Sequence, residues 1–180
     1  MNKNYIETNR LILRRFEETD IDDFFECCQN PNLGNNAGWK PHESKEESLA
    51  ILKSFFIESE NNVWAVVLKE TDRIIGSIGL VPDPKRENPH SGMLGYWLKE
   101  SCWGKGYMSE ATQAVLKFGF STLNLNLVTA NCYPHNERSQ QVLKRNGFVY
   151  EGLLHQAEVT YDEKVLDHRC YYRTKEEYIK

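Results

Sequence analysis

The sequence lacks the long apolar runs and the leader-like start that mark membrane and exported proteins. No stretch reaches the ~18 consecutive apolar residues that a membrane-spanning helix requires. Residues Met1 to Tyr5 contain no apolar run of the kind found in signal peptides. We therefore expect a cytoplasmic protein with no membrane partner.

Cysteine and histidine are present, but not in patterns that form disulfides or bind metals. The cysteines lie at positions 27, 28, 102, 132 and 170, an odd number with no C-x-x-C pair. The five histidines are scattered and form no H-E-x-x-H motif. We expect reduced thiols and no metal. Cys102 is the thiol to watch, because it precedes a glycine-containing loop, although no partner base adjoins it.

Basic residues are not in excess. The chain has 22 Lys and Arg against 26 Asp and Glu, a net charge of -4, which argues against a nucleic-acid partner. Its 180 residues are 40% hydrophobic and 27% charged, as in ordinary globular domains. No linker, repeat or low-complexity segment interrupts them. Residues 1–180 are therefore predicted to form a single domain.

Hydrophobic periodicity predicts an alternation of strands and helices. Two helices are expected early in the chain, after Thr19 or Asp20 and after Ser44, with a loop over 30–41 between them. Two more are expected from Ser109 and from Asn136. Strands are predicted over 10–16, 63–68, 74–81, 93–99, 126–132, 148–154 and 165–173. The predicted order is β-α-α-β-β-β-α-β-α-β-β.

This order predicts an α+β fold with a mixed sheet. The two strands before and after the turn at 70–73 form an antiparallel hairpin, in which Gly76 and Gly79 suggest a bulge. The later strand–helix–strand units require crossover connections. A meander followed by crossovers favours helices on both faces of the sheet.

The loop between strand 93–99 and the helix from Ser109 is predicted to bind an anion. Backbone N–H groups at a helix start have no partner within the helix, and the helix dipole adds positive charge there. The spacing of Gly104 and Gly106 does not fit a P-loop, since no Lys-Ser/Thr follows. It also does not fit G-x-G-x-x-G. A pyrophosphate cradle for coenzyme A is the third alternative.

Several motifs resemble one enzyme family in the same order along the chain. The segment 103–108, followed by Ser-Glu-Ala, resembles the acetyl-CoA loop of GNAT-type N-acetyltransferases, and 136–148 is similar to that family's second signature. Segments 8–14, 95–97 and 156–158 are similar to the RimJ/RimL branch, which acetylates protein N-terminal amines. The resemblance implies a mostly antiparallel twisted sheet that splays near its fourth strand, and acetyl-CoA as co-substrate.

The resemblance also implies how the co-substrate is held. Backbone N–H groups near Trp97 and Leu98 would bind the thioester carbonyl, Asn136 would cap a helix and contact pantetheine, and Ser139 would hydrogen-bond the leaving sulfur. From the residues alone, an ordinary first-turn serine is the alternative interpretation of Ser139. The pyrophosphate loop would comprise Trp103, Gly104, Lys105, Gly106, Tyr107, Met108 and Ser109.

For the acceptor side, the resemblance makes Glu158 the base, acting directly or through a water. The substrate wall would come from Trp39, Tyr96 and the surroundings of Glu158, although Trp39 is also expected as a core residue. A protein N-terminal α-amine is the first candidate acceptor, and a polyamine or aminoglycoside is the second. A non-catalytic acyl-CoA-binding module is a further alternative, and both monomer and homodimer remain open.

Overall fold

The computed structural model describes residues 4–180. Its centre is an eight-stranded sheet with the strand order β1-β2-β3-β4-β5-β6-β8-β7. The strands are β1 (Tyr5–Glu7), β2 (Leu11–Arg14), β3 (Asn62–Leu68), β4 (Arg73–Val81), β5 (Ser91–Leu98), β6 (Leu127–Cys132), β7 (Val149–Val159) and β8 (Val165–Thr174).

Six α-helices surround the sheet, and one of them continues as a π-helical segment over Leu52–Ile57. The helices are α1 (Ile21–Cys28), α2 (Pro31–Ala37), α3 (Lys45–Ile51), α4 (Tyr107–Ser121), α5 (Glu137–Arg145) and α6 (Lys175–Ile179). Within residues 4–180, none of these helices is both long enough and apolar enough to traverse a lipid bilayer.

The mixed sheet and its hairpin confirm the predicted fold class. Every neighbouring pair of strands is antiparallel except β5 and β6, which are parallel. The hairpin of β3 and β4 carries a register shift between Val66 and Val67, opposite the stretch that contains Gly76. A Cβ built on Gly76 would lie 2.4 Å from the Trp97 carbonyl oxygen, so only glycine fits there.

Hydrophobic cores on both faces of the sheet confirm the predicted layers. Successive side chains of a strand point to opposite faces. Trp64 and Val66 of β3 join the core formed with α4, while Ala65 and Val67 join the core formed with α1. All four side chains are fully buried, so β3 is apolar on both faces from Val63 to Leu68 rather than alternating.

The two parallel strands separate part-way along their length. Their pairing runs from Ser91 opposite Leu127 to Leu94 opposite Ala130, although β5 continues to Leu98. Beyond that point, no strand among residues 4–180 pairs with the edge of β5 that faces β6. The splay lies on the predicted strand 93–99, as expected. This strand was fourth in the predicted order, but it is the fifth in the structure because the short β1 was not predicted.

The predicted element order is wrong where short elements occur. The stretch 30–41 was expected to be a loop, but it contains α2, which starts at Pro31. The Asn30 side chain caps this helix by accepting from the Asn32 N–H at 2.8 Å. Proline ends one helix here and occupies the first turn of the next, a position where its missing N–H costs nothing. The short β1 and α6 were also missed.

Two boundaries that bear on function also differ from the prediction. Helix α4 begins at Tyr107 rather than Ser109, with Gly106 as its N-cap. Strand β7 continues to Val159, through an irregularity between Leu154 and Glu158. Glu158 therefore lies in a strand and not in a polar loop.

Candidate active site

A cavity of about 300 Å³ lies beside the splayed end of β5. Its walls come from β5, the loop that follows, the first turn of α4, α5 and the C-terminal half of α2. The predicted residues that line it are Tyr96, Trp97, Leu98, Trp103, Gly104, Gly106, Tyr107, Met108, Ser109, Asn136 and Ser139. Lys105, Trp39 and Glu158 do not line it.

The loop before α4 has the geometry of an anion cradle. Gly104 and Gly106 adopt left-handed backbone with φ of 76° and 80°, a conformation that glycine adopts without strain. The N–H groups of Tyr107, Met108 and Ser109 are in the first turn of α4 and point out of its N-terminus. A Cβ on Gly104 would meet no protein atom within 4 Å, so this side of the loop is open to a ligand. These residues fit the pyrophosphate of acetyl-CoA.

Met108 does not obstruct the cradle. Its side chain is 4% exposed and belongs to the core under α4. Trp103 is fixed from two sides. Its indole Nε1 donates to the Leu98 carbonyl at 2.7 Å, and the Arg138 guanidinium lies 4.7 Å from its ring centroid. The aromatic residue thus connects the end of β5 to α5 across the cavity.

Arg10, which sequence analysis did not single out as a site residue, braces the cradle from outside. Its guanidinium donates to the Lys105 carbonyl at 2.9 Å and to Glu110 Oε2 at 2.7 Å, and it lies 4.5 Å from the Tyr107 ring centroid. Burial acts to raise the pKa of Glu110, but hydrogen bonds from Thr8 and Arg10 outweigh it and lower that pKa overall. The loop is therefore held through a half-buried ionised carboxylate.

One backbone N–H at the free edge of β5 is directed away from β4. The Lys99 N–H donates to the Ile75 carbonyl of β4 at 2.7 Å. Backbone groups alternate in direction along an antiparallel strand. Trp97 therefore turns its N–H and C=O toward β4, whereas Leu98 turns them into the gap. Of the two predicted donors, the Leu98 N–H is the one available to a carbonyl oxygen in the cavity.

Ser139 is placed by the cap of α5 and hydrogen-bonded by a tyrosine. Asn136 Oδ1 accepts from the Ser139 N–H at 3.1 Å, which confirms the predicted N-cap, and its Nδ2 donates to the Asn36 carbonyl at 3.3 Å. The Tyr96 hydroxyl lies 2.8 Å from Ser139 Oγ. Burial raises the pKa of Tyr96, so that the phenol stays protonated. Tyr96 thus faces the co-substrate side of the cavity.

Glu158 lies next to this cavity, at the end of α2. Its Oε2 accepts from the Tyr133 hydroxyl at 3.0 Å and contacts His168 Nε2 at 2.9 Å. A Cβ built on Gly38 would lie 2.7 Å from Glu158 Oε1 and 2.5 Å from the Tyr133 oxygen. Gly38, with φ of 85°, is therefore the residue that lets the carboxylate approach α2. Neither Tyr133 nor His168 was anticipated, because both are remote from Glu158 in sequence.

Trp39 and Cys102 contribute to packing. The Trp39 ring packs edge-on against Trp97 with centroids 6.1 Å apart, which favours the core interpretation of this residue. Cys102 is buried in the core under α4. Burial raises the pKa of the Cys132 thiol to about 11, so this neighbour of Ser139 is neutral at pH 7. Among residues 4–180, no group of three or more His, Cys, Asp or Glu side chains is arranged to hold a metal ion.

Comparison with known proteins identifies the family. The model of the acetyltransferase (GNAT) domain matches residues 10–149, which include the cradle, Ser139 and the splayed strand. The chain belongs to the GNAT acetyltransferase family. It is an acetyl-CoA-dependent N-acetyltransferase, as the cradle and the two signatures predicted.

The relatives of this GNAT enzyme include two ribosomal-protein acetyltransferases of Escherichia coli. The [ribosomal protein uS5]-alanine N-acetyltransferase is 40% identical over 160 residues, 82% of this chain and 79% of that protein. The ribosomal-protein-serine acetyltransferase is 37% identical over 140 residues, 75% of this chain and 76% of that protein. Both confirm the resemblance to the RimJ/RimL branch.

A solved structure confirms the fold. The spermidine N-acetyltransferase of Vibrio cholerae, determined in complex with CoA and spermine, superimposes with a TM-score of 0.79. The match covers 96% of this chain and 100% of that chain at 21% identity. At this identity the likeness establishes the GNAT fold alone.

Proposed function

We propose that this GNAT enzyme transfers the acetyl group of acetyl-CoA to the N-terminal α-amine of a protein or peptide. The observation that carries the proposal is the environment of Glu158, whose Oε2 is held by Tyr133 and His168 while Oε1 faces Gly38. The free Oε1 of this single carboxylate can accept a proton from one acceptor amine. The two ribosomal-protein acetyltransferases among the relatives support a protein acceptor.

The acceptor must lose a proton before it attacks. An α-amine has a pKa of about 8 and a lysine amine about 10.4, so the α-amine places the smaller demand on a base. Glu158 Oε1 accepts this proton, directly or through a water. The N–C bond then forms as the C–S bond of the thioester breaks, and the nitrogen loses its second proton to water, so that the products are a neutral amide and the CoA thiolate.

Two hydrogen-bond donors near the splayed end of β5 stabilise the negative charges that develop on the carbonyl oxygen and on the leaving sulfur. The Leu98 N–H donates to the thioester carbonyl oxygen as it becomes negative. In this proposal the Ser139 hydroxyl donates to the leaving sulfur, which requires the Tyr96 hydroxyl, 2.8 Å away, to donate to Ser139 Oγ. A thiol has a pKa of about 8.5, so a hydrogen bond is enough and full proton transfer is unnecessary.

A small amine is the second candidate acceptor, because the spermidine acetyltransferase has the same fold. A polyamine carries several positive charges that each favour a carboxylate. The groups bonded to Glu158 are instead Tyr133 and His168, and Lys85 lies directly behind His168. This surrounding favours an acceptor with a single cationic amine.

The test is acetyl-CoA turnover against a panel of N-terminal peptides, polyamines and aminoglycosides. We expect activity with peptides that have a free N-terminus and none with the same peptides blocked there. Glu158→Gln should reduce peptide turnover about 100-fold or more. Turnover of spermidine without turnover of any peptide would contradict the peptide proposal and support the small-amine alternative.

A further inference from the structure

His168 connects the candidate base to a lysine on another segment. It lies on β8, and its side chain is 15% exposed. Its Nε2 is 2.9 Å from Glu158 Oε2, and its Nδ1 is 3.4 Å from Lys85 Nζ in the loop between β4 and β5. The two ring nitrogens therefore contact groups of opposite charge.

Lys85 is itself held in place. With the Asn131 side-chain amide turned so that both of its polar atoms are satisfied, its oxygen accepts from Lys85 Nζ at 2.7 Å. An ammonium group donates protons and has no lone pair to accept one. Lys85 therefore favours a bare Nδ1 on His168, and the ring proton lies on Nε2.

This tautomer makes His168 a donor to Glu158. The Nε2–H and the Tyr133 hydroxyl both point to Oε2, and the His168 and Tyr133 rings lie 5.5 Å apart. Among the described residues, no donor is bonded to Oε1. The carboxylate is thus anchored through one oxygen and leaves the other for the acceptor amine.

We propose that His168 is a positioning residue for acetyl transfer, which holds the Glu158 carboxylate through Nε2–H in a tautomer selected by Lys85. The role rests on the proposed function of Glu158 as the base. Titratable groups face His168 from three elements: Lys85 from the β4–β5 loop, Tyr133 from the segment after β6, and Glu158 from β7. His135 stacks on Tyr133 at 5.3 Å.

The kinetic test compares His168→Ala with His168→Gln, whose amide can still donate to Glu158. His168→Ala should lower kcat about 10- to 100-fold, because small displacements of a catalytic group have effects of this size. KM for acetyl-CoA should not change. The acidic limb of the kcat/KM profile should move to higher pH, since the ionised carboxylate has lost a donor. His168→Gln should restore most of the wild-type kcat and most of the wild-type pH profile.

The matched control is His90→Ala, which removes an exposed histidine that makes backbone hydrogen bonds before β5. It should leave kcat and the pH profile unchanged. Thermal melting of each variant verifies the fold. Unchanged kcat and an unchanged pH profile in folded His168→Ala would overturn the proposal.

A second readout does not depend on activity. Nitrogen NMR of the histidine rings should show the ring proton of His168 on Nε2 and not on Nδ1, and Lys85→Met should introduce the Nδ1–H form. An Nδ1–H tautomer in the wild-type protein would overturn the inference whatever the acceptor is. If spermidine rather than a peptide is acetylated, the proposed function fails, and the same His168 series run with spermidine still decides the inference.

Discussion

The Tyr96 hydroxyl lies 2.8 Å from Ser139 Oγ, joining a strand and a helix whose residues are 43 positions apart. Tyr96 comes from the splayed end of β5 and Ser139 from the first turn of α5. Their contact occurs where the thioester sulfur is expected. The pair thereby couples two motifs that look independent in the sequence.

Loss of either hydroxyl should impair the same step. We expect Tyr96→Phe to lower kcat about tenfold and Ser139→Ala to lower it at least as much. The double variant should be no worse than Ser139→Ala alone, because the two hydroxyls act in series. Release of CoA, followed with a thiol reagent, measures this. If the loss of kcat in the double variant equals the product of the two single losses, the two hydroxyls are not coupled.

The Tyr96 effect should not depend on pH. Since burial raises the pKa of Tyr96, the phenol remains a donor throughout the working range of the enzyme. The ratio of wild-type to Tyr96→Phe kcat should therefore be constant from about pH 6 to about pH 9.

Gly104→Ala should weaken co-substrate binding. The substitution forces alanine to a φ of 76°, at a cost of about 1 kcal/mol, and places a methyl group in the open side of the cradle. We expect KM for acetyl-CoA to rise about tenfold with kcat little changed. Gly152→Ala is the matched control, since its Cβ also meets nothing within 4 Å but lies in β7 at a negative φ. Equal effects of the two substitutions would exclude the cradle.

Gly38→Ala should have the opposite kinetic effect. Its methyl group would collide with Glu158 Oε1 and the Tyr133 hydroxyl, so that the candidate base moves. Gly38 is not part of the cavity lining. We therefore expect kcat to fall about 10- to 100-fold while KM for acetyl-CoA is retained. A rise in that KM with kcat intact would argue against Glu158 as the base.

Glu110→Gln should destabilise the protein in a pH-dependent manner. Because the pKa of Glu110 is lowered in the folded state, its contribution is present above its unfolded value and is lost as the pH falls through the folded value. Urea unfolding at pH 7 should show a loss of about 1 kcal/mol, which shrinks as the pH falls below the unfolded pKa of about 4.3. The exposed Glu70→Gln is the control. A loss that is constant with pH would exclude an ionised Glu110.

The cradle was predictable because its determinants are local. Gly104, Gly106 and the helix start occupy a few consecutive residues, and the spacing together with the predicted antiparallel meander before the loop argued against the nucleotide alternatives. The direction of the Met108 side chain was not predictable. It depends on the start of α4 at Tyr107, which turns the side chain into the core and places the N–H in the first turn of the helix.

The acceptor side of the site was harder to predict from the sequence, because its contacts join segments that are distant along the chain. Gly38 lies against Glu158 only because α2 forms in a stretch rich in Asn and Gly, where helix propensity is low. The Asn30-Pro31 pair was the available signal, since Asn favours an N-cap and Pro the first turn. Tyr133 and His168 gave no local signal at all.

The most direct measurement is the position of the acetyl group in the product. A peptide that carries a free N-terminus and an internal lysine is incubated with acetyl-CoA and the enzyme, and tandem mass spectrometry locates the modification. The proposed function predicts acetylation of the α-amine, which is lost in Glu158→Gln. Acetylation of the lysine side chain, or of spermidine alone, would contradict it.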